Sequence, residues 1–133
     1  MVLKEAIRSL SFFSSLDEEL VDDLSAISTL SPYSKGYVLH YENQNTHNLQ
    51  FLVSGLAKAY KIDKHENEIF LYHIDSNSLI SEINDLKADS LSTFSNLELQ
   101  EDSIVLSLEY NLFKKKFLDK KILCQEFANE ALR

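Results

Sequence analysis

Six short runs of β-prone residues, separated by turn-forming residues, fill the middle of the sequence. The runs are 37–41, 50–53, 57–62, 69–74, 97–100 and 104–108. Most of these runs contain the β-branched and aromatic residues that favour strands. Gly36 and Gly55 lie in two of the intervening turns, where glycine gives the backbone its widest freedom. Many short strands at nearly regular spacing indicate an antiparallel sandwich or barrel over 30–108 rather than a parallel sheet.

Helical patterns precede this β-rich region. Ser15 and Glu18 have the spacing of a capping box, which predicts a helix that starts at Ser15. Leu16, Leu20 and Leu24 then recur at helical spacing, so that one face of this helix is apolar. A shorter helix is predicted around residues 3–10.

The last segment, 109–133, is helical in pattern and amphipathic. Two adjacent rows of apolar residues run along it: Leu123, Phe127 and Ala131 form one row, and Cys124, Ala128 and Leu132 form the other. A double row of this width predicts packing against a partner helix. The pattern reaches Arg133 without a helix stop signal, so we expect the chain to be a fragment of a longer protein.

Composition excludes several classes of function. The 133 residues suit one domain, and their apolar content of 44% is sufficient for a core. With 13 basic and 21 acidic residues the formal charge is −8, which argues against binding of nucleic acid or an anionic membrane. No apolar run approaches the ~18–20 residues of a membrane span. Cys124, the single cysteine, excludes an internal disulfide and a cysteine-rich metal site, and favours the reducing cytoplasm.

Four short motifs, in order and at matching separations, resemble the sensor domain of the Crp/Fnr transcription regulators. They follow Phe12-Phe13, and they are Tyr33-Ser34-Lys35-Gly36-Tyr37-Val38-Leu39, Phe51-Leu52-Val53-Ser54-Gly55-Leu56-Ala57-Lys58-Ala59-Tyr60, Glu68-Ile69-Phe70-Leu71 and Ser81-Glu82-Ile83. The resemblance implies a mainly β fold: an antiparallel β-roll with jelly-roll topology (cyclic nucleotide-binding-like) and flanking helices.

The same resemblance implies different roles for two segments of the chain. Residues 1–108 would form the N-terminal helices and the β-roll sensor, and 109–133 would begin a dimerisation helix. A homodimer would then meet through Leu123, Phe127, Ala128 and Ala131. In the family a helix-turn-helix domain binds DNA, and this chain contains none. We therefore expect a non-enzymatic effector-sensing and dimerisation module of a transcription regulator.

Members of this family that bind cyclic nucleotides carry a phosphate-binding cassette, from which this sequence departs. Asn77 and Ser81 stand where glycines are usual, while Glu82 and Ile83 keep the expected residue types. The position of the phosphate-binding arginine falls at Ser92 or Thr93, and no arginine lies between Arg8 and Arg133. A buried phosphate would be left without the bidentate partner that compensates its charge.

We therefore expect the chain not to bind cyclic AMP in the usual way. The pocket would accept an uncharged or apolar small-molecule effector, or nothing. Candidate effector-pocket residues, by analogy, are Leu71, Ser81, Glu82, Ile83, Ser92, Thr93 and Phe94. The alternative is a cyclic nucleotide-binding domain with an altered cassette, in which Lys87 would supply the positive charge.

The four histidines raise two further alternatives, a cupin-like metalloenzyme and a haem-based gas sensor. A cupin site resembles His-x-His followed by a glutamate, whereas His40, His47, His65 and His73 lie on separate segments. His73 or His40 could serve as an axial haem ligand, but nothing marks a second ligand. If alternation holds, His73 shares a strand face with Ile69 and Leu71. We expect no metal site and no resident cofactor.

Overall fold

In the computed structural model, every strand pair within the described residues is antiparallel, which confirms the predicted fold class. The structure describes residues 2–81 and 90–115. The helices there are α1 Leu3–Ser9, α2 Glu18–Ala26 and α3 Tyr110–Phe113. The strands are β1 Ser28–Tyr33, β2 Val38–His40, β3 Asn45–Thr46, β4 Asn48–Ser54, β5 Leu56–Ile62, β6 Glu68–Asp75, β7 Ser78–Leu79, β8 Leu91–Ser92, β9 Asn96–Leu99 and β10 Ser103–Glu109.

The strands form two four-stranded sheets, ordered β1-β10-β4-β7 and β2-β9-β5-β6, and a small β3-β8 ladder. The two last long strands lie inside the sheets. β10 pairs with both β1 and β4, and β9 pairs with both β2 and β5. Each sheet is therefore continuous only when β9 or β10 pairs between two strands that come much earlier in the sequence.

Aromatic rings join the N-terminal helices to the first sheet. The ring centroids of Phe12 and Phe13 lie 5.0 and 5.3 Å from that of Phe51 on β4. Phe113 of α3 contacts the same group, 6.2 Å from Phe13. These rings are buried in a core cluster that also takes the apolar faces of α1 and α2. A second buried cluster lies on the inner face of the other sheet and includes Leu97 and Leu99 of β9.

The start of α2 differs from the prediction. The helix begins at Glu18, and its N-cap is Asp17 rather than Ser15. The Asp17 carboxylate accepts a hydrogen bond from the backbone N–H of Leu20, at 2.9 Å. An ionised cap interacts with both the free N–H groups and the positive end of the helix dipole. The shorter helix predicted at 3–10 is confirmed as α1.

All six predicted strands are present, and the structure adds four that the sequence pattern did not indicate. These are β1, which contains Pro32, and the two-residue strands β3, β7 and β8. β1 lies at the edge of its sheet, where proline removes no interior ladder bond. β3 and β8 lie within 42–48 and 90–95, whose polar and serine-rich sequences are typical of loops.

The β5–β6 hairpin contains a bulge that overturns one prediction. Tyr72 pairs with Ala59, and Phe70 pairs with Tyr60, so Leu71 is an extra residue in the ladder. Such a bulge interrupts the in–out alternation of side chains. His73, which pairs with Lys58, therefore lies on the opposite face from Ile69, which pairs with Lys61. The His73 ring lies 4.8 Å from that of Phe70.

The turn of this hairpin is fixed by one carboxylate. Asp63 accepts hydrogen bonds from the backbone N–H groups of His65, at 2.8 Å, and Asn67, at 2.9 Å. These bonds favour the ionised form and hold the pKa of Asp63 below its ordinary value. The bonds of this turn are therefore strongest when Asp63 is charged.

The described chain continues from β10 into α3. The Glu109 carboxylate caps this helix by accepting the N–H of Leu112, at 2.6 Å. The predicted dimer residues, Leu123, Phe127, Ala128 and Ala131, lie outside the described residues, so the predicted dimerisation helix stays a prediction. Among the helices within 2–81 and 90–115, none has the length and hydrophobicity to cross a membrane.

The turn between β4 and β5 leads to a testable prediction. Gly55 has a φ of +122°, and an added Cβ would meet the Ser103 side chain and lie 3.0 Å from its Cα. We expect Gly55→Ala to lower the free energy of unfolding by about 2–4 kcal/mol, because strain and overlap add. Gly36→Ala is the matched control, since Gly36 has a φ of +93° but no neighbour within 4 Å. Urea denaturation should show the larger loss at Gly55; equal losses would mean that the contact with Ser103 is unimportant.

Candidate functional site

A polar recess of about 470 Å³ opens where β2, the following loop, β4 and β8 converge. Its lining residues are Leu39, His40, Gln44, Asn45, Thr46, Asn48, Gln50 and Thr93. A narrower extension shares four of these and adds Ser81, Leu91 and Ser92. Because the two share walls, we treat them as one site and call it the recess.

Thr93 organises the loop that forms one wall of the recess. Its hydroxyl donates to the Tyr41 carbonyl oxygen, at 2.6 Å, and accepts from the Gln44 N–H, at 2.8 Å. The Thr93 N–H donates to the Gln44 carbonyl oxygen, at 2.9 Å, and the Asn43 N–H donates to the Thr93 carbonyl oxygen, at 2.8 Å. Thr93 is buried, and these bonds engage its hydroxyl within the protein. Its first role is therefore to hold residues 41–44 in place.

Ser92 lies beside Thr93 with a different environment. Its side chain is exposed, and its hydroxyl donates to the Asn45 side-chain oxygen, at 3.1 Å. The two residues also face each other in the β3–β8 ladder. Both candidate positions for the arginine that the family resemblance implies, Ser92 and Thr93, therefore hold short, neutral side chains.

Gln50 and Ser81 connect the recess to the first sheet. The backbone N–H of Gln50 donates to the Ser81 hydroxyl, at 2.9 Å, and the Ile80 N–H donates to the Gln50 carbonyl oxygen, at 2.9 Å. The Gln50 side-chain amide donates to the Ser107 hydroxyl on β10, at 3.3 Å. Ser81 is thus held at the edge of β4, next to the recess.

The described lining of the recess carries no formal charge. Side-chain amides and hydroxyls dominate it, and His40 is the titratable member of the set. His40 Nδ1 lies 3.1 Å from the Ser95 carbonyl oxygen, an arrangement that places a proton on Nδ1. Such a surface offers hydrogen-bond donors and acceptors to a neutral ligand, and among the described residues it offers no cation to a phosphate.

The structure brings together three of the residues proposed from the sequence for the effector pocket. Ser81, Ser92 and Thr93 line the recess, whereas Leu71 and Phe94 are exposed and lie outside its lining. Glu82 and Ile83 lie outside the described residues. Whether any of them contacts an effector stays a prediction.

Sequence reasoning did not single out most of the recess lining. The missed residues are Leu39, Gln44, Asn45, Thr46, Asn48, Gln50 and Leu91. Four of them belong to the polar stretch 42–48, whose composition indicated a loop but not a binding wall. The four histidines lie on separate segments, and within 2–81 and 90–115 no three potential metal ligands cluster.

No protein-family model and no curated protein sequence matches the chain. Solved structures with a similar fold, in contrast, are found. The chain aligns over 99% of its length, and 94% of the other chain, with a protein from Geobacter metallireducens described as cyclic nucleotide-binding, at 19% identity and a TM-score of 0.76. The fold is that of the cyclic nucleotide-binding domains. The β-roll predicted from the sequence is thereby confirmed.

Two similar structures are domains of transcription regulators. One is the sensor domain of the regulator DNR from Pseudomonas aeruginosa, at 17% identity and a TM-score of 0.77, covering 95% of this chain and 83% of that one. The other is the N-terminal domain of a Streptomyces coelicolor regulator, at 18% identity and a TM-score of 0.73, covering 96% and 88%. These neighbours are regulatory domains, and the likeness at this identity is one of fold.

The hydrogen bonds of Thr93 lead to a second prediction. Thr93→Val keeps the side-chain shape but removes the hydroxyl that serves Tyr41 and Gln44. We expect a loss of about 1–3 kcal/mol in the free energy of unfolding, because backbone groups in a part-buried wall lose their partner. Ser92→Ala is the matched control, and we expect a change within about 0.5 kcal/mol because the site is exposed. Urea denaturation measures both; equal effects would contradict the role given to Thr93.

Proposed function

We propose that this chain is the effector-sensing and dimerisation module of a bacterial Crp/Fnr-like transcription regulator. The fold shared with two regulator domains supports this, as does the order of the sequence motifs. The single observation that supports it best is the uncharged recess, which lies in a fold shared with the domains of two transcription regulators. In this proposal the chain catalyses no reaction and acts in the cytoplasm, and DNA is bound by a helix-turn-helix domain outside this sequence.

The effector in this proposal is a small uncharged molecule rather than a cyclic nucleotide held in the usual way. A buried phosphate monoanion needs a paired cation or several donors to offset its desolvation. Ser92 and Thr93, the two candidate positions for the family's arginine, are neutral, and they are bonded to Asn45 and Gln44. Amide and hydroxyl groups such as those of Gln44 and Asn48 suit a ligand that hydrogen-bonds without charge.

Calorimetry with cyclic AMP and cyclic GMP tests this proposal. We expect no binding by the unmodified chain at concentrations up to about 1 mM, the weakest affinity commonly measured. Ser92→Arg should improve the affinity for cyclic AMP by at least about tenfold, because a guanidinium can bind two phosphate oxygens. Ser92→Lys is the matched control, which adds the same charge without the planar fork. Micromolar binding by the unmodified chain would favour the altered-cassette alternative instead.

Dimerisation through the C-terminal segment is the second part of the proposal. Residues 109–133 would begin the dimerisation helix, with the row Leu123, Phe127 and Ala131 as its seam and Ala128 at its border. An effector in the recess would change how two such helices pair, and this change would reorient the DNA-binding domains.

A charged substitution in the proposed dimer seam tests the dimerisation part of the proposal. We expect Phe127→Asp to raise the dimer dissociation constant at least about a hundredfold, because it removes a buried aromatic ring and adds a desolvated carboxylate. Gln125→Asp, which adds the same charge outside both apolar rows, should leave the dimer intact. Light scattering reports the mass of each variant. A dimer unaffected by Phe127→Asp would show that this row is not the seam.

A further inference from the structure

Two side chains on the loop wall of the recess use their oxygen atoms to bind the chain's own backbone. Gln44 Oε1 accepts a hydrogen bond from the backbone N–H of Tyr41, at 2.9 Å. Thr46 Oγ1 accepts one from the backbone N–H of Asn48, at 3.2 Å. A backbone N–H can only donate, so these bonds fix which atom of each side chain is the acceptor. The orientation of the Gln44 carboxamide is therefore set by the Tyr41 N–H.

Two more side chains of the recess lining use their oxygen atoms in the same way. Ser81 Oγ accepts a hydrogen bond from the backbone N–H of Gln50, at 2.9 Å. Asn45 Oδ1 accepts one from the Ser92 hydroxyl, at 3.1 Å. The protein itself thus occupies acceptor oxygens on both walls from which a ligand would be bound, the loop 44–46 and the strand edge at Ser81.

What these side chains still offer to a ligand is mainly hydrogen-bond donors. A carboxamide nitrogen carries two N–H donors and no acceptor, so Gln44 Nε2 and Asn45 Nδ2 can only donate. The hydroxyls of Thr46 and Ser81 keep their O–H donor, because the bond from the backbone occupies a lone pair. The internal bonds therefore turn a surface of mixed amides and hydroxyls into one that favours acceptors on the ligand.

Charge selects among the ligands that carry acceptors. Anions are strong acceptors, but their desolvation is best offset by a paired cation. Within 2–81 and 90–115 the recess lining carries no formal charge. The whole chain has a formal charge of −8, so long-range repulsion also disfavours an anion. Neutral carbonyl, ester and ether oxygens accept hydrogen bonds without this cost.

Ligands with many hydroxyl groups match the recess less well. Every hydroxyl brings a donor of its own, and a donor that faces Gln44 Nε2 or Asn45 Nδ2 meets no acceptor there. A polar group that leaves water without gaining a partner lowers the affinity. A purely apolar ligand would leave the same amide donors unpaired.

The size of the recess and its apolar residues are compatible with a small molecule of this kind. Its volume of about 470 Å³ lies within the range of small-molecule sites, about 300–1,000 Å³. Leu39 and Leu91 add apolar surface to the lining. A ligand with acceptor oxygens and a short hydrocarbon part would therefore use both kinds of surface.

We propose that the recess binds a neutral small molecule whose polar atoms are acceptor oxygens, as in an ester, a lactone or a cyclic carbonate. Gln44 Nε2 and Asn45 Nδ2 donate to these oxygens and determine the specificity. This inference rests on the proposed function, which it deepens by giving the chemical class of the effector. It narrows the expected effector from any uncharged molecule to one that accepts hydrogen bonds and donates few.

Amide NMR titration of the full chain with two small neutral probes tests this class. Propylene carbonate and 1,2-propanediol share one carbon skeleton, but the carbonate has acceptor oxygens only, whereas each hydroxyl of the diol also donates. We expect propylene carbonate to shift the amide resonances of 41–50 and 91–93 with a Kd at least about tenfold lower than that of the diol. Probes of this size gain little binding free energy, so the titration runs to about 100 mM.

Gln44→Glu replaces the N–H donors of one amide by a second acceptor. The new carboxylate can still accept the Tyr41 N–H, but its other oxygen repels acceptor oxygens. We expect the affinity for propylene carbonate to fall at least about fivefold, with loss of the preference over the diol. Asn45→Asp makes the same exchange at the second amide and should change both affinities in the same direction.

Asn43→Asp is the matched control for the added charge. Asn43 is an exposed residue of the same loop and lies outside the recess lining. Its φ of +64° belongs to the left-handed region, which aspartate also adopts. We expect this variant to bind both probes as the unmodified chain does. If it weakened propylene carbonate as much as Gln44→Glu does, the effect would be one of charge alone and the role given to the amides would be wrong.

Three further results would overturn the proposal. Equal affinities of the two probes in the unmodified chain, or tighter binding of the diol, would show that the recess does not select acceptors. The absence of shifts in 41–50 and 91–93 with either probe would show that it is not a site for such molecules. Tighter binding of inorganic phosphate than of propylene carbonate would show that the ligand is an anion.

The ligand class and the proposed function fail in distinguishable ways. Micromolar binding of cyclic AMP, together with a preference for propylene carbonate, would contradict the proposed function and support the donor character of the recess. Equal probe affinities in a chain that forms a dimer and does not bind cyclic AMP would overturn the ligand class alone.

Discussion

The insertion of β9 and β10 between earlier strands is the constraint on which the rest of the structure depends. β10 separates β1 from β4, and β9 separates β2 from β5. Neither sheet is continuous without these pairings, and both buried clusters include side chains from the inserted strands. Since such contacts join residues far apart in sequence, they close long loops at an entropic cost. The recess exists because this closure brings residues 91–93 next to the loop 41–48.

The closure also determines the chemistry that the recess can offer. Thr93 is used to hold the loop 41–44, and Ser92 is bonded to Asn45. These bonds connect neutral groups. They therefore require no charged side chain in this wall, and the wall offers no charged group to a ligand. A phosphate-binding arginine in this place would have to replace the Ser92–Asn45 contact as well as add its charge. The neutral wall is therefore a property of the local packing and not only of one substituted side chain.

Strands whose residues have a local preference for β structure could be predicted from the sequence. Features that depend on contacts between distant residues could not. The six β-prone runs and the short helix at 3–10 were predicted because β-branched and aromatic residues, or helical spacing, mark them locally. β1 was missed because Pro32 contradicts a strand except at an edge, and edge position is a property of the whole sheet. The bulge at Leu71, which moved His73 to another face, likewise depends on pairing with β5.

The candidate site was predicted in part for the same reason. The resemblance to regulator domains indicated Ser81, Ser92 and Thr93, but not the amides of 44–50, which are held by bonds between distant segments, such as Gln44 to Thr93 and Gln50 to Ser81. The same wall also contacts the C-terminal segment: the Tyr110 N–H at the start of α3 donates to the His47 carbonyl oxygen, at 2.7 Å. Gln50 contacts Ser107 on β10, two residues before the helix cap Glu109. Under the proposed mechanism, an effector that displaces the 44–50 wall acts directly on Tyr110, the first residue of α3, which lies within the proposed dimerisation segment 109–133.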